Sequence, residues 1–290
     1  MKVIIDDKEL TNFSSYNIDL KFDAIASGFS LDGKSELIDE VLQYNDIEIY
    51  DDNDDLILTG TVLAPNLQSI SKPTLRAVNG YSLPGVLQDV SIAPSLYPLQ
   101  FDGLSLREIA SKILRFYNID FIVDGSVTAE ANKAFEKVND NPGGSPKQLI
   151  NKLASQRNIL MTHDERGRVV FTRLSANLLT PVMSVNDKSI GVKAMKIDIE
   201  AQSMHSDITV MREASKDNPD AGEATVNNPY VEGNKRPLVK ILQSGDIFDV
   251  DTAARNELSK EISKITLTIE TTQFVKPGNL IEVQSDLLKI

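Results

Sequence analysis

The sequence contains no cysteine and no tryptophan, two histidines, and only 30 basic residues against 42 acidic ones. Each shortage closes off a class of function. Without thiols there are no disulfides, no thiolate metal sites and no Cys nucleophile. His163 and His205 are the whole imidazole supply, and a His-rich metal centre or a His-based relay is hard to build from so distant a pair. A formal net charge of −12 argues against a nucleic-acid-binding surface, because affinity for phosphates comes mainly from Lys and Arg. Aromatic residues make up 6% of the chain, so no stacking platform for bases or sugars stands out. No apolar run approaches the ~20 residues that a membrane span needs. Met1-Lys2-Val3-Ile4-Ile5-Asp6-Asp7 turns acidic too early for a signal peptide. These absences predict a chain made in the cytoplasm, without membrane anchoring.

What is present is an apolar fraction of 41% over 290 residues, enough for about two domains with real cores. Residues 1–90 read as β. Tyr16-Asn17-Ile18-Asp19-Leu20-Lys21-Phe22 and Asp46-Ile47-Glu48-Ile49-Tyr50 alternate with the period of half-buried strands. Asp51-Asp52-Asn53-Asp54-Asp55 is a turn, and Leu56 to Val62 returns as a strand. From Phe101 the period changes. Ser105 and Glu108 form a capping box, followed by Leu106, Ile109, Ile113, Leu114 and Tyr117 on one helical face. Ser145 and Gln148 form a second box, with Pro146 at the first helical position and a stripe of Leu149, Ile150, Leu153 and Ala154. Ile159–Thr162 and Arg168–Thr172 then read as a hairpin, with Gly167 supplying positive φ in its turn. Residues 96–176 are therefore expected to form a compact α/β module. Beyond it, residues 213–236 read as a long exposed loop rich in Pro and Gly, and Thr252–Lys264 as a helix with Ala254, Leu258 and Ile262 inward. The chain stops on Asp286-Leu287-Leu288-Lys289-Ile290, either a tightly paired last strand or a truncation.

A faint repeat links the two β-rich parts. Tyr16-Asn17-Ile18-Asp19-Leu20 aligns on Met195-Lys196-Ile197-Asp198-Ile199, and Phe29-Ser30-Leu31 on Ile208-Thr209-Val210. Asn45-Asp46-Ile47-Glu48-Ile49 aligns on Asn279-Leu280-Ile281-Glu282-Val283. Any two amphipathic strands look alike, so the repeat stands on its order along the chain.

Residues suited to chemistry are few. Asp51, Asn53 and Asp55 hold calcium-loop positions one, three and five, but Leu56 and Val62 stand where Gly and Glu are required. His163 beside Asp164 and Glu165 resembles a general base with orienting carboxylates, placed at a hairpin tip where water would screen it. His205 and Ser206 are neighbours on an expected strand, so they point to opposite faces. Asn141-Pro142-Gly143-Gly144-Ser145 precedes a helix but lacks the Lys and spacing of a phosphate loop. No catalytic, cofactor-binding or metal-binding residue is assigned, and no cofactor is expected.

Several stretches, in order over residues 56 to 290, resemble the baseplate hub proteins of Mu-like contractile phages. These are grouped with late control D proteins and the hub half of type VI secretion spikes. The stretches are Leu58-Thr59-Gly60-Thr61-Val62, Val78-Asn79-Gly80-Tyr81-Ser82, Gly85-Val86-Leu87-Gln88-Asp89, Phe101 to Ala110, Leu149 to Leu160 and Gly167 to Arg173. Arg236-Pro237-Leu238-Val239 and the helix from Thr252 continue the likeness. Ser91–Gln100 departs from the pattern, and the C-terminus is shorter than the family's. The resemblance implies an α+β, mostly β fold. Two tail-tube-like β-barrels (1–95 and 177–290) would flank the α/β module at 96–176, the second barrel either complete or cut short at its C-terminal end. It also implies a non-enzymatic homotrimer in the virion baseplate, with a trimeric central spike, a tube initiator or tube protein and other baseplate proteins as partners. DNA would pass through the lumen without specific binding. A tail-tip tube protein of a long flexible tail and a tail-associated cell-wall hydrolase are the competing readings.

Overall fold

In the computed structural model of the protein, the described residues are 1–10, 13–35, 43–69, 73–140, 142–173, 180–212, 222–231, 233–242, 250–262 and 265–288. The chain divides into two compact units, one of Met1–Ser155 with Ile159–Leu174, the other of Gln156–Asn158 with Ser175–Ile290.

The first unit begins with one sheet built from β1 (Lys2–Ile5), β2 (Lys8–Glu9), β3 (Phe13–Asp19), β4 (Gly28–Ser35), β5 (Asp46–Tyr50), β6 (Leu56–Ser69) and β7 (Pro73–Ser82). Its order is β2-β1-β5-β6-β7-β4-β3, with every pair antiparallel. The alternation seen in the sequence sets its faces: Ile47 and Ile49 are buried while Asp46 is exposed. Val3 and Ile5 from β1 join Phe29 and Leu31 from β4 in one cluster with Ile47, Ile49, Leu58, Val62 and Val78. Four strand spacings separate β1 from β4, about 19 Å if the sheet were flat. Such a cluster exists only because the sheet curls over its own inner face. Among the described residues the end strands β2 and β3 are not paired with each other, so the expected first barrel is seen as a curled half-barrel.

The same unit contains α1 (Val86–Asp89), α2 (Leu106–Phe116), β8 (Phe121–Val123), α3 (Thr128–Asn132), α4 (Pro146–Ser155), β9 (Leu160–His163) and β10 (Val169–Thr172). Both capping boxes form. Ser105 Oγ accepts the Glu108 amide at 3.3 Å while the Glu108 carboxylate accepts the Ser105 amide at 2.8 Å. Ser145 and Gln148 exchange the same pair of bonds, both at 3.2 Å. The predicted stripe of α4 is buried, as is that of α2 except Tyr117, which follows the helix end and is half-buried. The hairpin β9–β10 is present, with Gly167 at φ 73°, and β8 joins it in parallel. Neither β8 nor α3 is expected from the sequence, being too short to show a period.

The second unit is made of small sheets: β11 (Met183–Asn186) with β17 (Ile281–Gln284), β12 (Val192–Ile199) with β16 (Ile265–Thr271), and β13 (Asp207–Arg212) between β14 (Gly222–Asn227) and β15 (Pro237–Leu242). Helix α5 (Val250–Ile262) lays Ala253 and Ala254 on Val210 and Ala224. Two expectations change here. The long loop is interrupted by β14, because Ala224 and Val226 alternate inward onto α5; their small size hides the period. The strands aligned by the repeat also differ in partners. β3 pairs with β4, but β12 pairs with β16; β5 is antiparallel to β1, but β17 is parallel to β11. A second closed barrel is not seen among the described residues. Residues 213–221 and the terminal Lys289-Ile290 lie outside them.

Candidate functional site

His163 is the first residue weighed for chemistry, and it does not sit at the tip of its hairpin. It ends β9, and its Nδ1 lies 3.1 Å from the carbonyl oxygen of Ala24 in the segment between β3 and β4. A carbonyl only accepts, so Nδ1 carries the hydrogen. Burial holds the ring's pKa below its ordinary value, against the opposing pull of the Ala24 bond and the Asp164 charge. Asp164 itself is turned away to Arg168, whose Nε donates to it at 2.7 Å. The expected solvent-screened base is thus a half-buried fastener between the curled sheet and the module. Sequence reasoning missed it because the partner is 139 residues away.

The motif residues of the family resemblance surround the same joint. Ser82 accepts the Ser27 amide on its Oγ at 3.0 Å and donates its own amide to the Ser27 carbonyl at 2.8 Å. Tyr81 is half-buried, and desolvation together with a hydrogen bond to Asp89 pushes its phenol up to about 12. Gly80 lies so near β6 that a Cβ there would overlap the Thr61 carbonyl oxygen and the Phe29 ring. Leu83 packs where a side chain at Gly167 would go. These residues hold backbone against backbone; none presents a nucleophile.

His205 precedes β13 rather than lying within it. The carboxylate of Glu261, almost fully buried, accepts the His205 amide at 2.8 Å and its Nδ1 at 3.2 Å. Ser206 Oγ donates to Asp207 at 2.7 Å and accepts the Arg236 amide at 2.7 Å. His205 and Ser206 are therefore engaged in opposite directions, and the arrangement fastens α5 and the β15 strand start to β13. The group that accepts from the Ser206 hydroxyl is its neighbour Asp207, while the His205 imidazole is turned to Glu261 instead.

Asp51 spends its oxygens on its own turn, accepting the amides of Asn53 at 2.8 Å and Asp55 at 2.9 Å. The Asp55 amide is the main reason its carboxyl stays below the usual range. Asp52 is taken by the N-terminal amine. In the glycine turn, Gly143 donates its amide to the Tyr97 hydroxyl at 3.3 Å, and Asn141 lies outside the described residues. Asp187 makes a clamp that the sequence does not announce, accepting the Ser285 hydroxyl at 2.6 Å and the Asp286 amide at 2.9 Å. Among the described residues no group of three or more His, Asp or Glu side chains is placed to hold a metal ion. Nor is any helix there long and apolar enough to cross a membrane.

The fold, mostly β with one curled sheet and a compact module carrying helices, is similar to that of solved phage tail proteins. The 43 kDa tail protein of prophage MuSo2 from Shewanella oneidensis is similar over 100% of this chain and 89% of its own, with TM-score 0.79 and 20% identity. The tail protein of Neisseria meningitidis MC58 is similar over 100% and 87%, with TM-score 0.75 and 19% identity. The E. coli c3393 protein, a type VI secretion component with structural similarity to T4 bacteriophage tail proteins gp27 and gp5, matches over 99% and 68%, with TM-score 0.60 and 12% identity. No curated protein matches the sequence. Residues 85–173 match the family described as baseplate hub protein gp44-like, second domain. Residues 85–173 thus carry a domain of the gp44-like baseplate-hub kind, and the chain as a whole has the fold of the phage tail proteins it matches.

Proposed function

We propose that the protein is the baseplate hub of a contractile phage tail or a related injection machine. Three copies form a ring that holds the trimeric central spike on one side and starts the tail tube on the other. The observation that carries this reading is the hub-type second domain at residues 85–173, set within a chain that has the fold of tail proteins from end to end. The curled sheet and the β elements of residues 177–290 would each supply one ring segment, so that three chains present six. The module at 96–176 would then interrupt six-fold symmetry and leave a three-fold face for the spike. DNA would pass the lumen unbound, consistent with a net charge of −12, since phosphates are held by cationic walls.

Electron microscopy of assembled particles tests the reading. Three copies in a ring between spike and tube, beneath a contractile sheath, are expected. Six copies per ring, or a tail without a sheath, overturn the assignment.

A further inference from the structure

The backbone edge of a strand is a template for another strand, and proteins guard such edges with brevity, charge or cover. Among the described residues, β15 ends the sheet β14-β13-β15 and has little of this protection. It is six residues long. Val239 and Ile241 are 56% and 61% exposed, on the face opposite α5. Met211, in register with Ile241 on β13, adds to the same uncovered stripe. The one charge of the strand, Lys240, is folded under to Glu257 of α5 and does not guard the edge.

A second edge of the same kind lies in the other unit. β3 ends the large sheet and runs for seven residues. Its one charge, Asp19, is paired with Lys21 at 3.0 Å, and Tyr16 is 57% exposed. The remaining sheet-end strands are of four residues or fewer (β2, β8, β9, β11, β17). The longer ones carry unburied charge: Glu223 on β14, Lys193 and Asp198 on β12, Glu270 on β16. So among the described residues two end strands of similar length, one per unit, have their one charge held in an ion pair. In a chain of net charge −12, copies repel one another except where charge is absent. Two different open edges on one chain are what head-to-tail pairing requires, and head-to-tail pairing makes a ring where the rotation between copies closes.

We propose that β15 of one copy pairs with β3 of the next, with Met211, Val239 and Ile241 covered by the neighbour. This rests on the ring reading above and identifies its joint.

The full chain has no cysteine, so cross-linking is clean. Asn17→Cys with Val239→Cys, treated with a short bismaleimide, is expected to give a ladder of linked copies, and Val239→Cys alone none. A dimer from Val239→Cys alone, or complete labelling of the double variant without a ladder, overturns the pairing. By light scattering, Val239→Lys with Ile241→Lys should reduce the wild-type assembly to monomer while circular dichroism is unchanged. An assembly that survives this variant sinks the joint but leaves the ring. A wild-type chain that stays monomeric at every concentration removes both. The cross-linking arm still decides if the lysine variant fails to fold.

Discussion

The His163 imidazole and the Ala24 carbonyl meet at 3.1 Å across 139 residues of sequence. The bond joins the hairpin of the module to the connection between two strands of the curled sheet, and so fixes one against the other. Burial favours the neutral ring there, whereas an unfolded chain takes up its proton at the ordinary value near 6.5. Below that pH the unfolded state binds more protons, so this histidine's contribution is full at neutral pH. It declines as pH falls from about 6.5 and levels off below the lowered folded value. Urea midpoints at pH 7 and pH 5 should therefore differ less in His163→Gln than in the wild type. Equal differences would refute the linkage.

Gly80→Ala is expected to destabilise the first unit by about 2–3 kcal/mol, the scale of overpacking in a filled interior. The new methyl has nowhere to go between Thr61 and Phe29, and both neighbours are fixed by the ladder and the core. Equilibrium denaturation measures it; a change below about 0.5 kcal/mol, as at ordinary surface sites, would show that β6 and β7 can part locally.

Ser105→Ala removes the hydroxyl half of the first capping box and should cost about 1 kcal/mol. Glu108 sits below its usual carboxylate range, chiefly through the Ser105 amide and then the Ser105 hydroxyl. The variant should therefore raise the Glu108 pKa as well, which carbon-detected NMR titration reads directly. An unshifted carboxyl would mean that the hydroxyl contributes nothing.

Incubation of the purified chain with peptidoglycan should release no muropeptides. His205 is committed to Glu261 and Ser206 to Asp207 and the Arg236 amide, which leaves no histidine aimed at a hydroxyl in that cluster. Turnover abolished by substituting a single Asp or Glu would overturn the structural reading.

What could be read from the sequence is what local chemistry determines. Ser105–Glu108 and Ser145–Gln148 satisfy their own helix ends three residues apart, so both boxes are visible before any fold is known. Ile47 and Ile49 announce their face by alternation. Partner choice is different in kind. The pairing of β12 with β16, the reach of His163 to Ala24 and the clamp of Asp187 on Ser285 depend on segments far away in the chain. Nothing within a window of ten residues encodes them. β14 was hidden for another reason, since Ala224 buries too little apolar surface to mark a period.

The order of the large sheet has a consequence for how the chain is made. Its centre, β5-β6-β7, is a meander of neighbours in sequence, while β1 and β4 attach to it from opposite sides across long intervening stretches. β1 and β4, made before the meander, are thus among the last strands of the sheet to find their places, because contacts between distant segments form late. Until residue 82 has emerged, Val3, Ile5, Phe29 and Leu31 lack the floor they pack against in the finished core. Nascent chains stalled shortly before residue 46 should accordingly stay open to protease, and resistance should appear only once the meander is complete and clear of the exit tunnel.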